Sequence, residues 1–83
     1  MERSVAAPAY WSGWVGWASN TLRLYIDVYR VPNQCDAFYA VATKYENQSG
    51  VVTNINKELV VKSGSHKGSY YVTYEGRDYY FHM

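Results

Sequence analysis

Residues 21–31 read TLRLYIDVYRV, and their period is two. Leu22, Leu24, Ile26 and Val28 fall on one face, while Thr21, Arg23, Tyr25, Asp27 and Tyr29 fall on the other. Successive side chains of a strand point to opposite faces, so this stretch reads as a half-buried β-strand. Its apolar face demands a covering layer. Pro32 lacks a backbone donor and ends the strand, and Asn33-Gln34 complete a turn. The rest of the chain is read as what pairs with this strand or packs on it.

The 83 residues make one small domain, 1–83, with 1–8 expected to be loosely ordered. A chain of this size buries only somewhat more than about 60% of its unfolded surface. It carries ten Tyr, three Trp and two Phe. Aromatic rings supply a large apolar area on few rotatable bonds, which suits a thin core. Tyr and Trp also suit contact surfaces, because one end is apolar and the other hydrogen-bonds.

Eight basic and seven acidic residues give a net charge of +1, with no run of like sign. That supplies no general field for nucleic acid or an anionic membrane. The single cysteine, Cys35, rules out an internal disulfide framework and any zinc site built from several thiolates. A reducing, cytoplasmic setting is the expectation. Residues 1–17 show no continuous apolar run of a secretory signal, and no stretch approaches a membrane span. Asn47-Gln48-Ser49 matches the glycosylation triplet, which matters only in a secreted protein.

Along the chain, residues 10–17 (YWSGWVGW) read as an irregular or edge strand whose Trp rings cover the core, followed by a Ser19-Asn20 turn. Asp36 then stands as an N-cap before an Ala-rich segment. Ala37, Val41 and Tyr45 recur at four-residue spacing beside Phe38 and Ala42, and Gln48-Ser49-Gly50 offers a stop. The spacing predicts a helix over about 37–48. The rival is a strand, since Tyr39, Val41, Thr43 and Tyr45 alternate. Residues 51–62 return to period two, with Asn54 and Asn56 marking a bend. At the C-terminus, Gly76-Arg77 suits a type II′ hairpin turn. That register pairs Tyr74 with Tyr79, Val72 with Phe81 and Glu75 with Asp78, with the Tyr74 face inward.

The fold these elements predict is α+β: one helix packed on a curved antiparallel sheet of four to five strands. The alternative is an all-β meander barrel. Two family likenesses touch the same segments. Arg30-Val31-Pro32-Asn33, Cys35, Ala37-Phe38-Tyr39 and Gly50-Val51 faintly resemble the start of a lipocalin. The glycine–x–tryptophan pair is missing, so no apolar-ligand pocket is implied. A helix over Tyr39–Tyr45 before a meander ending Tyr70-Tyr71-Val72-Thr73 is similar in order to the cystatin fold. The cystatin glutamine–x–valine–x–glycine loop is absent, so the likeness implies architecture and not protease inhibition.

Chemistry-bearing residues are sparse. Cys35 lies near the expected helix start but has Asp36 beside it, which opposes a thiolate. His66 and His82 show no ligand spacing. No phosphate-cradling glycine loop is present, and no carboxylate pair stands out. The expectation is therefore a non-enzymatic chain with no cofactor and no metal. Its function is expected to be protein binding, of inhibitor or adaptor type, with self-association as the simplest case. The candidate interface is Arg23, Tyr25, Asp27 and Tyr29, with Tyr71, Tyr80 and His82 on the hairpin. The alternative is single-stranded nucleic acid stacked on the hairpin rings, bordered by Lys57, Lys62, Lys67 and Arg77.

Overall fold

The computed structural model describes residues 8–16, 22–34 and 37–83. Seven strands follow in order: β1 Trp11–Val15, β2 Arg23–Arg30, β3 Phe38–Asn47, β4 Gly50–Val60, β5 Lys62–Ser63, β6 Ser69–Tyr74 and β7 Arg77–His82. The first four form one antiparallel sheet in the order β1-β2-β3-β4, and the last three form another in the order β5-β6-β7. Val61 alone separates β4 from β5, so one nearly continuous run of chain passes from the first sheet to the second.

The period-two strand behaves as its pattern requires. Leu24, Ile26 and Val28 are fully buried. Burying each such side chain stabilises by about 1.5–3 kcal/mol. Val15, Ala40, Ala42 and Leu59 join them from the first sheet, and Val72, Tyr74, Tyr79 and Phe81 from the second. Both apolar faces meet in one core.

The helix over 37–48 is overturned: β3 occupies that segment, and no helix occurs among the described residues. Two effects explain the error. Backbone partners are available on both sides, since β3 pairs with β2 and with β4. A bulge also disguises the strand period. Tyr25 pairs with Lys44 but Ile26 pairs with Ala42, so Thr43 is the extra residue. The extra residue reverses the side-chain phase. Ala40 and Ala42 face the core, and so does Tyr45, which packs against it. The resulting spacing imitates a helical stripe. The Asp36 cap and Cys35 lie outside the described residues, as do Trp17, Ser19, Asn20 and residues 1–7.

The barrel alternative fails as well, because the two sheets do not close on each other. The strands divide between two sheets, of four and of three, where one sheet of four to five was expected. The cystatin-like order loses its helix, and the lipocalin-like segment spans β2 and β3 of an open structure. Residues 48–50, read as a helix stop, instead turn the β3–β4 hairpin, where the Ser49 amide donates to Asn47 Oδ1 at 2.8 Å.

Other expectations on the sheets are met in kind. β1 is an edge strand, and Trp11 packs against the core. Asn54 and Asn56 take left-handed φ values of 63° and 50°, and the β3–β4 register shifts there. The β6–β7 hairpin puts Tyr74, Val72, Tyr79 and Phe81 inward. Its register differs from the one expected: Tyr74 pairs with Arg77, not Tyr79, a slide of two residues. An even slide keeps every side chain on its face. The turn residues are Glu75 and Gly76, with φ of 50° and 81°. Two left-handed residues match the right-handed twist of the flanking strands. The slide also removes the Glu75–Asp78 like-charge pair and sets Asp78 opposite Thr73, whose hydroxyl donates to Asp78 Oδ1 at 2.7 Å.

Candidate protein-interaction site

The outward face of the first sheet is ordered in rows that run across its strands. Arg23, Glu46 and Val51 form the first row, and Trp14, Tyr25, Lys44 and Thr53 the second. Ser12, Asp27, Val41 and Glu58 form the third, and Tyr29, Tyr39 and Val60 the fourth. Aromatic rows thus alternate with rows that carry carboxylates.

The side chains hold one another. Trp14 meets Tyr25 edge-on, with centroids 5.3 Å apart at 81°. The Arg23 guanidinium lies 4.2 Å from the Trp14 ring, and its Nε donates to Glu46 Oε1 at 2.7 Å. Lys44 Nζ stands 4.9 Å from the Tyr25 ring and 5.6 Å from Trp14. No carboxylate among the described residues pairs with that ammonium. Each such cation–ring contact stabilises by about 0.5–1 kcal/mol at an exposed site. Tyr29 stacks on Tyr39 at 5.3 Å and 19°. The Ser12 hydroxyl donates to Asp27 Oδ1 at 2.7 Å.

All four residues of the first candidate set, Arg23, Tyr25, Asp27 and Tyr29, therefore share this face. Tyr71, Tyr80 and His82 do not join them: they lie on the outward face of the other sheet. There Tyr71 and Tyr80 are directly paired, with centroids 5.0 Å apart. Tyr80 is 57% exposed. His82 is exposed and pairs with Ser69, not Tyr71 as the expected register had it.

The cations of the alternative reading are dispersed. Lys62 Nζ stands 5.5 Å from the Tyr71 ring and donates to Thr73 Oγ1 at 3.3 Å. Lys57 lies on β4 opposite Ala42. Lys67 lies in the loop before β6. Arg77 lines a cleft of about 210 Å³ with Leu22, Tyr74, Glu75 and Tyr79. That is below the roughly 300 Å³ at which small-molecule pockets begin. Burial raises the Tyr74 phenol above its ordinary pKa, with Glu75 and then Tyr45 adding to the shift. Burial also raises Tyr79, opposed by Arg77 and aided by Glu75 and Tyr74. These phenols pack in the core.

Sequence reasoning missed Trp14, Tyr39, Lys44 and Glu46 as parts of the outward face. The last three were read as helical, and Trp14 was assigned to core cover. A usable signal existed in the alternation of Tyr39 and Val41, which continues past Thr43 once one extra residue is allowed.

Among the described residues, no group of three or more His, Cys, Asp or Glu side chains could hold a metal ion. No helix among them is long and apolar enough to cross a membrane. Comparison with known proteins finds no family model, no curated protein and no solved structure that matches the chain.

Proposed function

We propose that this chain is a small non-enzymatic protein-binding domain, of inhibitor or adaptor type, acting through the outward face of the β1–β4 sheet. The observation that carries the reading is the Trp14–Tyr25–Lys44 row, in which rings and a cation are already held against one another on the solvent side. Trp, Tyr and Arg dominate interface energetics because they bury large areas and still hydrogen-bond. Rings fixed before contact lose less entropy on binding. The single cysteine fits a reducing, cytoplasmic setting.

The test compares proteins retained from the native host by the immobilised chain and by a Tyr25→Ala/Tyr29→Ala variant. A partner kept by the parent and lost by the variant supports the reading. Identical retention by both overturns it.

A second reading rests on Lys62 beside the Tyr71–Tyr80 pair: single-stranded nucleic acid stacked on the hairpin rings. Anisotropy of a short labelled oligonucleotide tests it. Lys62→Glu with Lys67→Glu should weaken binding and flatten its salt dependence, since fewer counterions are released. An unchanged salt slope rules it out.

A further inference from the structure

We infer that the partner of the β1–β4 face is a second copy of this chain, seated face to face about a two-fold axis between the second and third rows. The inference rests on the protein-binding reading above and names its partner.

The argument is charge complementarity. The second row carries one cation, Lys44, and no carboxylate. The third row carries two carboxylates, Asp27 and Glu58, and no cation. A two-fold axis in the plane of contact, running along the rows, sets the second row of each copy on the third row of the other. Each strand then crosses its own counterpart, as an isologous interface requires. Lys44 comes over Val41 of the other copy, between Asp27 and Glu58. Tyr25 comes over Asp27, whose carboxylate accepts a phenol hydrogen bond.

The outer rows agree with the same operator. The first row meets the fourth, so Arg23 faces Tyr29 and Val51 faces Val60. Val51 and Val60 are 51% and 68% exposed, and this packing would cover both. A parallel seating about an axis along the strands would instead bring each row onto itself. Set over β3, it would oppose Lys44 to Lys44 and the Asp27 carboxylate to Glu58.

Strand and residue spacings give this face a flat area of about 500 Å². Stable interfaces bury about 800 Å² per partner, so the dimer belongs to the weak, concentration-dependent class.

The experiment is sedimentation equilibrium of the purified chain over a range of concentrations at low and high salt. The expected result is a mass rising towards twice that of the chain at low salt and falling back at high salt, because the partly exposed charges are screened. Lys44→Glu alone should remain a monomer at low salt. Asp27→Asn/Glu58→Lys alone should also remain a monomer. An equimolar mixture of the two should recover the dimer, since each variant's altered row then meets its opposite charge. Circular dichroism confirms that each variant keeps its sheets. If Lys44→Glu does not fold, Lys44→Gln replaces it, with at least a tenfold weaker dimer expected. A parent chain that stays monomeric at every concentration and salt overturns the inference, and so does a dimer that loss of the Lys44 charge leaves intact. A monomeric parent that still retains a host protein through Tyr25 and Tyr29 overturns the dimer while leaving the binding reading standing.

Discussion

The Trp11 indole stacks on the Phe81 ring with centroids 5.1 Å apart and planes 18° from parallel. Trp11 belongs to β1 and Phe81 to β7, which share no ladder. Ring packing joins the sheets here, where a barrel would use hydrogen bonds. Phe81→Ala should therefore destabilise by about 3 kcal/mol or more. Trp11, partly exposed, should cost less on truncation. A double-mutant cycle in urea should return a coupling of about 0.5–1.5 kcal/mol. Strict additivity would show that the stack does not tie the sheets.

Gly16 sits at φ 93°, and a Cβ there would run into the Tyr79 ring. Gly16→Ala therefore combines a left-handed backbone, costing about 1–2 kcal/mol for an L residue, with displacement of a buried phenol. The expected loss exceeds about 2 kcal/mol in denaturant unfolding. A loss under about 0.5 kcal/mol would mean that Tyr79 does not pack against this backbone.

Glu75 holds φ 50° in the β6–β7 turn. Asn tolerates that region better than Glu, because its short amide bonds locally. Glu75→Asn should stabilise by about 0.5–1 kcal/mol, while Glu75→Val should destabilise. For a domain of this size, 1 kcal/mol shifts Tm by about 4–8 °C. A melting curve that moves the same way for both variants would contradict the turn geometry.

Tyr74 and Tyr79 both have raised pKa values, chiefly through burial. The unfolded phenols lose their protons near pH 10.0 while the folded ones keep theirs. Above that pH the unfolded state binds fewer protons, so stability falls as pH rises. Their contribution is complete below the unfolded pKa and is lost through the folded values. Urea midpoints should hold steady below about pH 9 and drop above pH 10. Tyr79→Phe should flatten that drop. An equal drop in the Phe variant would place the alkaline sensitivity elsewhere.

Much of the fold was legible where neither phase nor partner was ambiguous. Leu24, Ile26 and Val28 announced a buried face because a strict period of two admits no other element. The inward set of the hairpin was legible for the same reason, even though its register was misjudged. The turn type was harder to read, since Glu is an unusual left-handed residue and the expected turn placed Gly76 first. Arg23, Tyr25, Asp27 and Tyr29 were legible as one outward face. Their neighbours Lys44 and Trp14 were not, because no local rule says which strand lies beside which.

The sequence by itself determined the alternating faces of β2 and of the hairpin, the edge position of β1 and the bend at Asn54 and Asn56. Each of these follows from side-chain period or local backbone preference. Tertiary structure alone decided that residues 38–47 form a strand. There, backbone pairing on both sides outweighed a helical spacing that a bulge at Thr43 had created. It also decided that the sheet stays open beside Trp11 and Phe81, and that Lys44 stands between Trp14 and Tyr25 with no carboxylate among the described residues paired to it. Those outcomes depend on which strands become neighbours, and contacts between residues far apart in the chain decide that.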